Sequence, residues 1–462
     1  MGKEKKAGIA YLLGNFILSG VSFLATVLFT RLMTPADYGT YSVYMSYESF
    51  LSVIIMFGVG GTLARAKIDY SESFDAYFTN IISIMSFIGC MTLFLLEVIR
   101  AFGFRMMNLN AILVLVLVVH SYCECVFSVY LTKLSTDYIY DKYLGISFAN
   151  TCAGIVISIL FILYITPKDT YYGRIYGTVI PLSVISLVVV TGALKKNHIL
   201  YDSSKWKYAI KLSAPLMIHS ISYIVLSVFD RIMISEMVGD SEAGIYSLMG
   251  SFANLLNLAW YSINQSWNQW VFDRLKKNEN EIIKYYSRWY VIVATGIFFI
   301  VIMVIPDVIT IMTDVRYHSG LSLLPALCAG SYFMMPYSLY VLIENYHKKT
   351  KYIATGSFCA GLVNILLNFI FIRKFGYQAA AYTTMITYFL LFIFHYFSVR
   401  WKIKNSVYDD KSIFLVTLSG FLIFYISTVL LPYRSARWII VLILFVAILL
   451  CAKLKMFNIS NK

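Results

Sequence analysis

The sequence predicts an all-α integral membrane protein with about 14 transmembrane helices, arranged as two six-helix lobes followed by two further helices. Three observations carry that reading. The 462 residues are 59% hydrophobic and only 13% charged, with a mean hydropathy of +0.72; a soluble domain carries about 25% charged residues. The apolar residues fall in runs long enough for a helix to cross a bilayer, about 20 residues each. These runs do not alternate, as the strands of a membrane barrel would. Finally, the chain repeats itself. Thr30-Arg31-Leu32-Met33 returns as Asp230-Arg231-Ile232-Met233, and Gly39-Thr40-Tyr41-Ser42 returns as Gly244-Ile245-Tyr246-Ser247.

The first helix, 9–31, follows a basic lead of Lys3, Lys5 and Lys6. Its apolar run is too long for a signal peptide and no small-residue cleavage site follows, so it reads as an uncleaved span. The next helices are placed at 40–64, 76–98, 110–133, 143–166 and 174–194. A second set follows at 210–236, 243–268, 286–306, 320–345, 353–373 and 378–399, and the last pair at 413–431 and 437–455. Within the second set, a polar turn holding Gly239, Asp240 and Gly244 separates the seventh span from the eighth. The repeat extends to Tyr172-Gly173 with Gly177 and Phe375-Gly376 with Ala380. The lobes are therefore 1–195 and 207–400, with 401–462 outside the repeat. Six spans return the chain to its starting side, so the lobes form a parallel repeat about an axis along the membrane normal. Such proteins carry their substrate path between the repeats.

Loops alternate sharply in charge. One side of the membrane collects 26 Lys and Arg, the other 11, with Arg288 at a helix start. The positive-inside rule places both termini in the cytoplasm. The net charge of +14 thus reflects cytoplasmic flanks rather than a nucleic-acid surface. The seven Cys lie in apolar segments, and Cys123-x-Cys125 lacks metal spacing, so they read as packing residues. No loop is long enough for a soluble domain, and no phosphate loop, nucleophile elbow or metal cluster appears. Gly58-x-Gly60-Gly61 is a packing or bending feature rather than a nucleotide site. The sequence calls for no cofactor, and turnover without an ATP site is passive or driven by an ion gradient.

Four segments carry a family resemblance. They are Arg31-Leu32-Met33-Thr34-Pro35-Ala36-Asp37-Tyr38-Gly39-Thr40-Tyr41, Ser213-Ala214-Pro215-Leu216, Phe229-Asp230-Arg231-Ile232 with Gly244-Ile245-Tyr246, and Asn364-Ile365-Leu366-Leu367-Asn368 with Phe375-Gly376-Tyr377-Gln378-Ala379-Ala380-Ala381. In order and spacing the chain resembles bacterial polysaccharide-biosynthesis flippases, the O-antigen and capsule repeat-unit transporters of the multidrug/oligosaccharidyl-lipid/polysaccharide exporter superfamily. Gln378 departs from the second Gly common in that family. The resemblance implies a bilobed, non-enzymatic carrier in the bacterial cytoplasmic membrane, with a cavity that opens alternately to each face. Its implied cargo is an undecaprenyl-diphosphate-linked oligosaccharide. Its implied partners are membrane lipids, a coupling ion such as H+ or Na+, and other polysaccharide-assembly proteins. A multidrug antiporter of the same superfamily is the runner-up. A membrane polymerase is disfavoured by the missing external loop.

The candidate residues lie on few faces. Asn254, Asn257, Tyr261, Asn264 and Asn268 are spaced by three or four along the eighth span and share one side, suited to a wet wall or to bonding a neighbouring helix. Asp230 and Arg231 sit about two-thirds along the seventh span; a charge there needs a partner or water. Arg231 is a candidate diphosphate contact. Arg31, nearer the boundary, is another or simply snorkels. Asp37, Tyr41, Tyr44 and Glu48 form one face of the second span, where Glu48 calls for a partner such as Arg31 or Arg231. His120 and Glu124 are four apart on the fourth span, and as a buried His–carboxylate pair would suit ion coupling.

Overall fold

The computed structural model describes residues 3–102, 111–404 and 407–453. Among them, fourteen helices have 20 residues or more. They are α1 (Lys3–Leu32), α2 (Pro35–Met56), α4 (Phe74–Ala101), α5 (Ala111–Thr136), α6 (Tyr140–Leu160), α7 (Thr170–Lys196) and α8 (Ser203–Met237), then α9 (Asp240–Lys276), α10 (Asn280–Met312), α11 (Leu324–Tyr346), α12 (Thr350–Phe375), α13 (Gln378–Phe397), α14 (Asp410–Leu430) and α15 (Arg434–Lys453). A short α3 (Leu63–Asp69) follows α2. Among the described residues ten helices are long and apolar enough to span a membrane, and α2 with Val59–Asp69 makes an eleventh, bent by 48°. No strand occurs among the described residues. The fold is the all-α membrane architecture expected; residue 110 of the fourth expected span and residues 454–455 of the last lie outside the described residues.

The second expected helix, 40–64, starts earlier and breaks. Thr34 caps α2 by accepting a bond from the Asp37 N–H, and Pro35 occupies the first turn, where its missing donor costs nothing. At the other end Phe57 and Gly58 both take positive φ, +48° and +72°. That pair ends the helix and supplies the bend, so the glycine run reads correctly as a bending device.

The chain divides into two compact units, 1–244 and 245–462, with the boundary in the first turns of α9. Between lipid-soaked helices apolar burial gives little drive, and association rests on close packing and interhelical hydrogen bonds. The first unit shows this on the seam of α2 and α5. Ser121 Oγ donates to the Glu48 carbonyl at 3.2 Å, Ser52 Oγ to the Ser121 carbonyl at 3.2 Å, and Cys125 Sγ to the Ser52 carbonyl at 3.2 Å. Around it pack Leu51, Ile55, Tyr77, Met85, Leu117 and Val129.

In the second unit the last two long helices, α14 and α15, are fastened to α10 by charge. Arg288 near the start of α10 donates to Asp409, the cap of α14, its Nε at 2.7 Å. Near the far end of α10, buried Asp307 accepts from Arg437 Nη2 at 3.2 Å and from Trp438 Nε1 at 3.1 Å, both on α15. Arg434 adds a 3.2 Å ion pair. A buried carboxylate shared by two guanidiniums and an indole is satisfied, which is the condition for its survival in an apolar setting.

Candidate functional site

In the first unit, Glu48 is 4% exposed. Its carboxylate accepts from Ser52 Oγ at 2.6 Å and from Ser49 Oγ at 3.4 Å. These neutral hydroxyls are its hydrogen-bond partners, and it makes no ion pair among the described residues. Neither Arg31 nor Arg231 supplies the partner the sequence suggested. At Glu48 the face of α2 packs on α5, where Ser121 Oγ donates to the Glu48 carbonyl.

His120 and Glu124 lie one turn apart on α5 yet part company. The buried imidazole of His120 turns to α2, where Nδ1 lies 3.3 Å from Tyr44 Oη and the two rings stack at 5.8 Å. Glu124, half-buried, lines a cavity of about 680 Å³ together with Ala64, Phe127, Ser128 and Thr132, with Tyr138 and Tyr143 nearer the helix end. Shared helical spacing put both residues on one side, but the choice of neighbour separated them.

Asp37 turns out to organise the helix start. It accepts from Thr34 Oγ1 at 3.0 Å and from Thr170 Oγ1 of α7 at 2.8 Å. The same helix α7 carries a cation the sequence reading missed. Arg174 lies over the rings of Phe29 at 4.0 Å and Tyr41 at 5.1 Å, and its Nη1 donates to Ser158 Oγ at 3.1 Å. Its signal was its place one residue after the repeated Tyr172-Gly173. Arg31 is exposed in the last turn of α1.

Asp230 is buried at 4% exposure on α8, and the ring of neighbouring Phe229 meets Phe50 of α2 edge-on at 5.8 Å. Arg231 is half-buried. Its Nε is buried with no hydrogen-bond acceptor, and it makes no ion pair among the described residues. Six positions before the end of α8 at Met237, it stands nearer the helix terminus than the sequence reading placed it.

In the second unit the amide face of α9 divides. Asn257 donates to Asn254 at 3.0 Å and to Ser331 of α11 at 3.4 Å. Asn264 donates to Ser338 of α11 at 3.0 Å and accepts from Tyr290 Oη of α10 at 2.6 Å. Ser331 and Ser338 are seven apart, as are Asn257 and Asn264, so the two helices pair in register. Asn254 and Tyr261 are exposed, and Asn268 is half-buried. The face combines helix bonding with an open polar edge.

Residues 5–267, more than half the chain, match the family described as "Polysaccharide biosynthesis protein". The chain belongs to that family. A fellow protein, the Lsg locus putative protein 1 of Haemophilus influenzae (strain ATCC 51907 / DSM 11121 / KW20 / Rd), is 19% identical over 299 residues, which is 62% of this chain and 70% of that one. Among solved structures, the lipid II flippase MurJ in an inward closed conformation superposes with a TM-score of 0.73 at 15% identity, covering 97% of this chain and 100% of that one. An inward-facing multidrug resistance MATE family transporter of the MOP superfamily gives 0.66 at 12% identity, over 84% and 94% of the two chains. This polysaccharide biosynthesis family member therefore shares their fold, and its own apolar helices of spanning length make it a multi-pass membrane protein.

Proposed function

We propose that this chain is a transporter, not an enzyme, that turns an undecaprenyl-diphosphate-linked oligosaccharide from the inner to the outer leaflet of the bacterial cytoplasmic membrane by alternating access. The product serves a surface polysaccharide such as O-antigen or capsule. The two six-helix sets, 1–195 and 207–400, act as the moving lobes, and both termini are cytoplasmic, in keeping with the 26-to-11 charge bias.

The observation that carries this is Arg231, a half-buried guanidinium near the end of the long helix α8, whose Nε has no acceptor among the described residues. An intramembrane cation costs about 2.5–3.5 kcal/mol on insertion scales unless it is paired or wet. A ligand bearing phosphate oxygens would meet that need with the planar bidentate geometry arginine offers. The exposed edge of α9, with Asn254 and Tyr261, suits hydroxyl-rich cargo, and exposed Arg31 offers a second cation. Membership of a polysaccharide biosynthesis family supports the substrate class, and the fold shared with a lipid II flippase supports the transport mode.

Deletion in the native host tests the reading. The expected outcome is loss of surface polysaccharide with accumulation of a diphosphate-linked intermediate on the cytoplasmic leaflet, restored by the wild-type chain. Unchanged intermediate levels would overturn it. A cation-coupled small-molecule antiporter is the second reading, favoured by the fold shared with the multidrug transporter and by Glu124 facing a cavity. It is recognised by raised drug sensitivity on deletion with normal polysaccharide.

A further inference from the structure

The His–carboxylate pair that spacing suggested on α5 does not form, but one exists in the second unit, built from two helices. Glu344 is in the last turn of α11 and His395 near the end of α13, 51 positions apart. His395 Nδ1 lies 2.8 Å from Glu344 Oε2, and both side chains are 0% exposed. Each also keeps a buried atom without a hydrogen-bond partner among the described residues, Oε1 of the glutamate and Nε2 of the histidine. Nε2 faces α12 at Gly356, where an added Cβ would stand 2.8 Å from it. The bare backbone of Gly356 thus closes the site like a lid pressed on its far nitrogen.

We propose that Glu344 and His395 form a proton-binding site that holds one proton while the helices α11, α12 and α13 are closed and releases it when they part. The count of charges gives the reason. A neutral imidazole beside a carboxylate carries −1. Adding one proton makes the pair neutral overall, whether it rests on Nδ1 or on Oε2. A site of zero exposure cannot hold the uncompensated charge without a large desolvation cost. The closed state therefore retains the proton, and loss of it requires water to reach Oε1 or Nε2, the two atoms left without partners. On release the proton passes to that water, leaving the carboxylate and the neutral ring solvated.

Surrounding groups do not supply a competing charge. Tyr337 packs its ring 5.4 Å from the imidazole, and Phe394 lies 5.2 Å away. Lys348, Lys349 and Lys351, at the turn into α12, are exposed. On the α13 side, Arg400 donates to Tyr396 Oη at 2.7 Å. On α14, Asp410 accepts from Tyr340 Oη at 3.1 Å, and on α10 Arg288 is paired with Asp409. His347, at the end of α11, stacks edge-on against Tyr346. The inference concerns the second unit alone and does not depend on what the protein carries.

Linkage makes it testable. If the proton favours the closed state, raising the pH favours the open one by the same factor. Hydrogen exchange of peptides from α11, α12 and α13 is followed in the full-length protein in lipid nanodiscs, at about pH 6 and about pH 8, with the base-catalysed intrinsic rate removed. In the wild type, corrected exchange should rise by about fivefold or more at the higher pH. Glu344→Gln, and the double variant Glu344→Gln/His395→Asn that restores a neutral donor–acceptor pair, should both lose that rise, while peptides of α10 stay unchanged. A wild type with no pH-dependent opening overturns the proposal. So does an amide variant, single or double, that opens with pH as the wild type does, since a purely structural pair would be replaced by amides without altering any pH response.

Discussion

Gly39 and Gly244, the equivalent glycines of the two repeated motifs, stand against one another at the N-terminal ends of α2 and α9. A Cβ on Gly39 would lie 1.7 Å from the Asp240 carbonyl oxygen, and one on Gly244 would lie 2.0 Å from the Pro35 carbonyl oxygen. Thr40 Oγ1 donates to Asp240 Oδ2 beside them at 3.1 Å, and Asp240 also accepts from Ser235 of α8. The duplicated sequence thus supplies both halves of one backbone-to-backbone contact.

Because the opposing atoms are backbone, neither side can yield by turning a rotamer. Gly39→Ala and Gly244→Ala should each destabilise the protein by about 1–3 kcal/mol or more through overpacking. Gly192→Ala is the control, since nothing lies within 4 Å of its added Cβ; it should fall within about 0.5 kcal/mol of wild type. Thermal unfolding of the three purified variants in detergent decides it. Equal behaviour of all three would mean the α2–α9 contact is loose.

The amide face of α9 yields a second contrast. Asn264 bridges Ser338 and Tyr290; Asn264→Ala strands the Tyr290 hydroxyl, while Ser338 keeps its bond to the Met335 carbonyl, and should cost about 1–2 kcal/mol. Exposed Asn254 should tolerate Ala within about 0.5 kcal/mol. Transport should respond in the opposite order if the open edge touches cargo: Asn254→Ala lowers export while the protein level holds. A cysteine at 254 should react with a water-soluble maleimide, and one at 264 should react far more slowly.

How much of this was legible beforehand depends on the range of the interaction. Spans were legible because a run of about 20 apolar residues is a local property. The stop at Phe57 was half legible: Gly58 announced a bend, but a positive φ at a phenylalanine has no sequence signature. The four-residue step from His120 to Glu124 fixed a shared helical side, while Tyr44 on another helix decided where the ring points. Glu344 and His395 meet through tertiary packing across 51 positions, and no periodicity links them. Asn257 and Asn264 were found by spacing, but whether an amide bonds a helix or faces water depends on the serines opposite, on α11.

At the start of α14, acid should loosen a fastening. Partial burial pushes the Asp409 carboxyl up, but hydrogen bonds from Ser412 and Arg288 hold it, on balance, below the usual carboxylate range. A carboxyl lowered on folding contributes stability above its unfolded pKa and loses it as pH falls through its folded pKa. The loss should therefore appear below about pH 4. Arg288 is largely exposed, so the effect is at most about 1 kcal/mol. Asp409→Asn should flatten this part of the acid unfolding profile. An unchanged profile in that variant would assign the acid sensitivity to another carboxylate.

Arg231 gives the sharpest test of the transport reading. Sequence alone offered Arg31 or Arg231 as a partner for Glu48; instead Glu48 is bonded to Ser52 and Ser49, and the Arg231 Nε lacks an acceptor among the described residues. A guanidinium already paired would have to break that pair to bind an anion, whereas this one is free at Nε to add a phosphate oxygen. Removing the cation leaves a diphosphate without its counter-charge in a low-dielectric path. Arg231→Ala should therefore abolish surface polysaccharide while membrane protein level stays near wild type. Arg231→Lys should keep partial activity, because the charge survives and the planar fork does not. Glu48→Gln should leave Arg231-dependent export largely intact, since the carboxylate is not its partner. Loss of membrane protein in step with activity in Arg231→Ala would make the residue structural. Normal export in that variant would move the diphosphate contact elsewhere, with Arg174 and Arg31 the next cations to substitute.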